Sequence, residues 1–141
     1  KITKIKFKSL CLDKFIIINI INLINTKNNF KRIKMSVIKK LWDAEENKDL
    51  AQFNEVMSED FVWVKHSTGE EIGRDVLATW FMSDDAPTSE NNRIIYENDE
   101  IGVAHSFVTF KDGSRQAVMV VYTIKDGMII RSETGATDMP K

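Results

Sequence analysis

The stretch from residue 101 to residue 134, IGVAHSFVTFKDGSRQAVMVVYTIKDGMIIRSET, decides the fold. Two Lys-Asp-Gly sequences, at 111–113 and 125–127, interrupt three runs in which apolar residues recur at alternate positions. An Asp-Gly pair between two such runs is a strong signal for a β-hairpin. The stretch therefore predicts an antiparallel meander of three strands: Ile101–Phe110, Arg115–Ile124 and Met128–Thr134.

Residues 35–100 add helices and shorter strands to this meander. Three helices are predicted, the first two capped by Ser36 and Asp49 and the third covering Gly73–Phe81. Two short strands and a polar loop complete the prediction: Phe61–Val64, Arg93–Tyr96 and the loop 83–92. The element order predicts an α+β fold, in which three helices pack over one face of a cone-shaped, curved antiparallel sheet.

Charge divides the chain at Met35. Residues 1–34 contain nine Lys/Arg and one acidic residue, whereas residues 35–141 contain eleven basic and twenty acidic residues. Twenty-two of the first 34 residues are Lys, Ile or Asn, an amino-acid composition typical of translated AT-rich DNA. We therefore interpret residues 1–34 as non-native upstream translation before a start at Met35, and residues 35–141 as one domain. A disordered or targeting segment is the alternative interpretation.

The first segment does not predict a membrane span. Its apolar run, Phe15–Ile24, is shorter than the roughly 20 residues that cross a bilayer, and no small-x-small cleavage site follows it. A peripheral basic helix, or export, remains the alternative if residues 1–34 are real. The sole cysteine, Cys11, permits no internal disulfide. We expect a cytoplasmic protein.

Three motifs in residues 35–141 are familiar. They are Leu41-Trp-Asp-Ala-Glu-Glu-Asn-Lys-Asp-Leu50, Met57-Ser-Glu-Asp-Phe-Val-Trp63 and Gly73-Arg74-Asp75. Together with the element order they resemble the nuclear transport factor 2-like superfamily, and in particular its polyketide cyclase and ketosteroid isomerase branch. The resemblance implies a cystatin-like α+β barrel, a pocket between helices and sheet, and a homodimer formed through the outer sheet face.

The resemblance does not transfer a reaction, because the family includes isomerases, dehydratases, hydrolases, cyclases and proteins that only bind ligands. In an alignment on Asp49, Leu41 occupies the position of the oxyanion-binding Tyr of ketosteroid isomerases. Their catalytic base falls at or near Lys65, and their second oxyanion donor falls near Val120 or Tyr122. The ketosteroid isomerase mechanism is therefore not expected.

The faces of the strands depend on the loop at Asp112-Gly113. A two-residue loop, which the family alignment favours, pairs His105 with residue 120 and turns one set of side chains inward: Val103, His105, Phe107, Val118, Val120 and Tyr122. A three-residue loop with a bulge would instead present Ala104 and Ser106. Further pocket-lining residues are expected from the other strands and the first helix: Leu41, Glu45, Trp63, Lys65, Ile130 and Ser132.

Two of these residues are candidates for catalysis. His105 could transfer a proton near pH 7, and Tyr122 could donate a hydrogen bond to a carbonyl oxygen. Lys65 could bind an anionic ligand, and Glu45 could pair with His105 or Lys65. Each also has a structural interpretation: a hydrogen-bonded core histidine, a packing tyrosine, a lysine at a strand end that reaches solvent, or an exposed helix acid.

Other classes of site are not indicated. Residues 35–141 contain no Cys/His metal pattern, phosphate-binding glycine loop or nucleophile elbow, so we expect neither a metal nor a cofactor. The acidic pairs near 84 and 97–100 lack the spacing of a calcium loop. The excess of acidic residues argues against nucleic acid as a partner.

Two functional hypotheses follow from the sequence. In the first, the domain is a cofactor-independent acid–base enzyme for a small apolar molecule with a carbonyl group. His105 would move the proton, Tyr122 or Lys65 would stabilise the oxyanion, and Trp63 would stack on the substrate. In the second, it is a non-catalytic homodimer that binds a small ligand or serves in assembly. The inner face mixes apolar walls with a few polar groups, as ligand sites do, which favours the enzyme.

Overall fold

The computed structural model describes residues 35–140. The interpretation of residues 1–34 as upstream or targeting sequence lies outside the described residues. Three helices and six strands follow one another in the described part of the chain: α1 (Val37–Glu46), α2 (Leu50–Val56), β1 (Met57–Lys65), β2 (Glu70–Gly73), α3 (Arg74–Met82), β3 (Thr88–Glu97), β4 (Ile101–Thr109), β5 (Arg115–Lys125) and β6 (Met128–Asp138).

The six strands form one curved, unclosed sheet in the order β2-β1-β6-β5-β4-β3. Only β1 and β6 run parallel; all other neighbours are antiparallel. The sheet and the three helices share one hydrophobic core, whose largest fully buried side chains are Phe53, Phe61, Ile38, Met57 and Ile129. The predicted α+β fold, with three helices over a mostly antiparallel sheet, is confirmed.

Side-chain caps begin the first two helices, as predicted. The Ser36 hydroxyl accepts a hydrogen bond from the backbone N–H of Lys39 at 2.9 Å, and the Asp49 carboxylate accepts one from Gln52 at 3.0 Å. Glu97, at the end of β3, also accepts hydrogen bonds from the Val37 N–H at 2.7 Å and from the Ser36 hydroxyl. These bonds satisfy N–H groups that a helix leaves unpaired, and they attach α1 to the sheet.

A glycine allows α1 to lie directly on the sheet. Gly102 is buried in β4, and a Cβ atom placed on it would lie 2.6 Å from the Cδ1 atom of Ile38. Ile38 is itself fully buried, so its side chain has little room to move away. The missing side chain at residue 102 therefore sets the distance between the helix and the sheet.

The two predicted hairpins have different loops. Asp126 and Gly127 both have positive φ, so β5 and β6 are joined by the expected two-residue turn. The loop between β4 and β5 has three residues, 111–113, because Thr109 pairs with Arg115 and the Phe110 N–H donates to the Ser114 carbonyl. The predicted two-residue loop is wrong there, and the alternative with a bulge is correct.

The longer loop reverses the predicted face of β4. His105 pairs with Met119 rather than with Val120, and Ala104, which is 1% exposed, lies in the core. Neighbouring residues of a strand point to opposite faces. The side chains of Val103, His105 and Phe107 therefore lie on the outer face, contrary to the expectation that they line the pocket.

A bulge changes the inward set at the start of β6. The pairing of β5 with β6 shifts by one residue between Thr123 and Ile124, which leaves Ile130 as the extra residue. Ile129 is fully buried in the core, whereas Ile130 is only partly buried. The position that Ile130 was expected to fill is thus occupied by Ile129.

Both edge strands differ from the prediction. The sequence showed no strand at β2, and it placed a loop over 83–92, where β3 already begins at Thr88. Most residues of both strands are exposed, so neither carries the apolar alternation that marks a half-buried strand. An exposed edge strand is held by backbone hydrogen bonds, which leave no signal in the sequence.

Substitution of Gly102 tests the contact between α1 and the sheet. Gly102→Ala places a methyl group against Ile38, and overpacking of this kind lowers the free energy of unfolding by about 1 to 3 kcal/mol. The measurement is urea unfolding of the full chain. The matched control is Gly135→Ala in β6, where a new Cβ atom meets nothing within 4 Å. Equal stability of the two variants would contradict the close approach.

Candidate functional site

Three neighbouring strands align polar side chains across the inner face of the sheet. Ser132 of β6 pairs with Trp63 of β1 on one side and with Tyr122 of β5 on the other. Ser132 is the buried polar residue of the described core, and Tyr122 is 7% exposed. Neighbouring strands lie about 4.8 Å apart, so this row brings Trp63 to within roughly 10 Å of Tyr122.

Helix α1 places two further side chains against this row. Glu45 follows the buried Leu41 by one helical turn and therefore faces the sheet. Trp42 packs against the core, and its indole N–H lies close enough to the Tyr122 hydroxyl to lower the pKa of that hydroxyl. Glu45, Trp42 and Tyr122 thus form a polar cluster between the helix and β5.

The cluster holds two unusual acids. Burial raises the pKa of Glu45 from 4.5 to about 8, so its carboxyl group is mostly neutral at pH 7. Burial raises the pKa of Tyr122 well above its usual range; the nearby Glu45 charge raises it further, and the nearby indole N–H of Trp42 opposes the rise. Both groups therefore carry a proton at neutral pH and can donate it in a hydrogen bond.

A groove of about 330 Å³ lies at the β1 end of the row. Residues of β1, β2 and α3 line it: Trp63, Lys65, Ile72, Val76, Leu77 and Trp80. Two of these, Trp63 and Lys65, were predicted to line a pocket. The other four were missed, because β2 was not recognised and no residue of the third helix was expected to line the pocket.

The walls of the groove are fixed by specific contacts. The Trp63 indole N–H donates to the Thr134 hydroxyl at 3.0 Å, which holds the ring in place. Trp63 and Trp80 are stacked, with ring centroids 6.0 Å apart and planes inclined by 12°. The Lys65 ammonium lies 4.9 Å from the centroid of the Trp63 ring and 2.9 Å from a carboxylate oxygen of Glu70. The groove therefore combines apolar walls with one cation.

The remaining predicted residues of the inner face have structural positions. Leu41 is buried in the core, where it supports α1 rather than contacting the groove. Val120 packs against the same core, and Val118 follows it on the inner face of β5. These three residues form apolar walls of the helix–sheet interior.

His105 has a different environment from the one predicted. It lies on the outer face beside Phe107, with ring centroids 5.0 Å apart in an edge-on arrangement. Its Nδ1 atom is buried and has no hydrogen-bond partner among residues 35–140. His105 is therefore separated by the sheet from Tyr122 and Glu45, with which it was expected to act.

Residues 35–140 show no sign of a metal site or of a membrane-spanning helix. No group of three or more His, Cys, Asp or Glu side chains in this range is arranged to hold a metal ion. None of the helices in the same range is long and apolar enough to cross a membrane.

The raised pKa of Glu45 predicts a pH-dependent stability. The folded protein keeps a proton on Glu45 between pH 4.5 and about 8, where the unfolded chain has released it, so stability falls as the pH rises through this window. Glu45→Gln removes that fall, and its melting temperature exceeds that of the wild type above pH 8. Thermal unfolding of the full chain from pH 5 to pH 9 measures the effect.

The neighbouring residue provides the control. Glu46 is exposed on the same helix, so Glu46→Gln removes the same charge without removing a buried acid. The Glu46→Gln variant is expected to keep the pH dependence of the wild type. If Glu45→Gln kept it as well, Glu45 would not be the group that titrates.

Comparison with solved structures shows the same fold in proteins of distant sequence. A candidate ketosteroid isomerase from Kribbella flavida superposes with a TM-score of 0.63 at 17% identity, covering 74% of this chain and 78% of that one. An NTF-2 like protein of unknown function from Burkholderia xenovorans superposes with a TM-score of 0.61 at 17% identity, covering 74% of this chain and 83% of that one. IdmH, a candidate polyketide cyclase from Streptomyces antibioticus, superposes with a TM-score of 0.53 at 18% identity, covering 71% of this chain and 88% of that one.

These identities are too low to carry a function from one protein to another, and the likeness shows the fold alone. A comparison with curated proteins found no match. The sequence model of the SnoaL-like domain matches residues 38–132, which include α1, the groove residues and Ser132. The chain therefore belongs to the SnoaL-like domain family, within the nuclear transport factor 2-like fold.

Proposed function

We propose that this domain binds a small, mostly apolar molecule with a carbonyl group and moves a proton on the carbon beside that carbonyl, without a cofactor. The observation that carries the proposal is the pair formed by Glu45 and Tyr122 on the inner face. One is an acid that titrates near pH 8, and the other is a buried hydroxyl that stays protonated.

The two side chains suit the two halves of this reaction. Ionised Glu45 accepts the proton from the carbon, and the electron pair of the broken C–H bond moves into the carbonyl group, forming an enolate. The Tyr122 hydroxyl donates a hydrogen bond to the enolate oxygen. Return of the proton from Glu45 to another carbon gives an isomerase. Departure of hydroxide from the next carbon, which takes the proton from Glu45 and leaves as water, gives a dehydratase.

The pKa of Glu45 suits a general base. A carboxylate with an ordinary pKa near 4.5 is a weak base, whereas one with a pKa near 8 binds a proton more strongly and is still ionised in part at neutral pH. A buried site also strengthens the hydrogen bond from Tyr122. Glu45 thereby takes the role that the sequence analysis assigned to His105.

Proton exchange on a simple ketone tests the proposal. The probe is 2-acetylnaphthalene in D₂O, whose methyl protons exchange for deuterium only after removal of a proton beside the carbonyl; proton NMR follows the loss of the methyl signal. The full chain is expected to speed this exchange, with a rate that rises as the pH passes through about 8, where Glu45 ionises. Glu45→Gln should lower the rate by about 100-fold or more.

Two further variants complete this experiment. Tyr122→Phe removes only the hydroxyl and should lower the rate by a similar factor while leaving its pH midpoint in place. Glu46→Gln is the charge-matched control and should behave as the wild type. Exchange that is no faster than in buffer, or that Glu45→Gln leaves unchanged, would refute the proposed chemistry.

The outer sheet face favours a second candidate function, a homodimer that need not be catalytic. Two side chains on this side of β4 and β5, Ile101 and Met119, are large, apolar and about 40% exposed. The Nδ1 atom of His105, which has no hydrogen-bond partner within the described part of the chain, lies on the same face. Pairing of this face with a second copy would cover the apolar side chains and give the imidazole a partner.

A substitution that places a charge on the outer sheet face tests the proposed homodimer. Met119→Lys would bury an unpaired ammonium group in the interface, so the variant should be monomeric where the wild type is a dimer. Sedimentation equilibrium of the full chain gives the mass. Ala51→Lys, on the exposed side of α2, is the control and should keep the dimer mass. A monomeric wild type would exclude this candidate.

A further inference from the structure

We propose that the groove selects ligands in which a flat ring system carries a carboxylate, and that Lys65 binds that carboxylate in place of Glu70. This inference rests on the proposed function in taking the domain to bind a small, mostly apolar molecule, and it adds the groove as the place of binding and the chemical class of the ligand.

The shape and the chemistry of the walls indicate a flat apolar ligand. Trp63 and Trp80 present two nearly parallel indole rings, and aliphatic side chains of β2 and α3 complete the groove. The hydrogen bond from Trp63 to Thr134 keeps one indole in position before any ligand arrives. A rigid aromatic wall binds a ring with little loss of side-chain entropy.

The position of Lys65 indicates that the ligand carries a negative charge. Its ammonium group lies over the Trp63 ring, 4.9 Å from the ring centroid, so the cation is held against the aromatic wall. The ammonium group has three N–H bonds, and the contact with Glu70 uses one of them. An anionic group on a ring that packs beside the Trp63–Trp80 pair would therefore meet a positioned donor.

Glu70 is the group that such a ligand would replace. It pairs with Lys65 at the end of the β1–β2 ladder, but its side chain is 54% exposed against 31% for that of Lys65. An exposed ion pair of this kind contributes little to stability. A ligand carboxylate reproduces the pair with Lys65, while its ring gains contact with the groove.

Two probes of nearly equal shape distinguish the contribution of the ligand's charge to binding from that of its ring. The probes are 2-naphthoate and its neutral counterpart 2-naphthamide, with binding to the full chain measured by tryptophan fluorescence and confirmed by calorimetry. The wild type should bind the carboxylate about two- to five-fold more tightly than the amide, the range expected of a partly exposed ion pair. Added salt should reduce the difference.

Three variants assign the preference to the groove. Lys65→Met keeps the aliphatic stem and should abolish the preference for the carboxylate while leaving amide binding unchanged. Glu70→Gln removes the competing anion and should increase the preference, a result that a merely structural role of Lys65 does not give. Lys125→Met changes an exposed lysine in the β5–β6 hairpin and should leave binding unchanged.

The inference is overturned if neither probe binds, if both bind equally, or if Lys65→Met retains the preference. Failure here is separable from failure of the proposed function, because the ketone probe is neutral and depends on Glu45. Ketone exchange without a carboxylate preference would overturn only the ligand class. A preference that depends on Lys65 without any ketone exchange would sustain the ligand class and overturn the proposed chemistry.

Discussion

Helix α1 rests on the sheet where residue 102 has no side chain, and the positions of Trp42 and Glu45 over the inner face depend on that contact. Ile38 occupies the space that a Cβ atom at Gly102 would take, and Glu97 hydrogen-bonds to the first turn of the helix from the adjoining strand. With its N-terminal turn fixed in this way, the next turns of the helix bring Trp42 and Glu45 over Tyr122.

Helix α1 carries an acid, Glu45, at a position where an apolar residue would be expected. Glu45 lies one turn after the buried Leu41 and is itself only partly exposed, and burial there stabilises its neutral form. An apolar side chain would suit the interior better, so the acid is a local conflict between sequence and fold. Conflicts of this kind, together with a shifted pKa, are concentrated at functional sites.

The sequence predicts those features that repeat with a regular period. The period of α1 places Glu45 one turn after Leu41, and alternation places Tyr122 and Ser132 on the inner face. The register of β4 was not predictable, because the tripeptide Lys-Asp-Gly forms a three-residue loop at 111–113 and includes a two-residue turn at 126–127. Edge strands lacked any apolar pattern, and the groove that β2 helps to form was therefore missed.

The central claim is that α1 holds a neutral carboxyl group against Tyr122 inside the domain. The direct measurement is a pH titration of the full chain by carbon-13 NMR, with the side-chain carboxyl carbons of Glu labelled and the Glu45 signal assigned from its absence in Glu45→Gln. We expect the Glu45 signal to titrate with a midpoint near pH 8. A midpoint near 4.5, the ordinary value for Glu, would contradict the account.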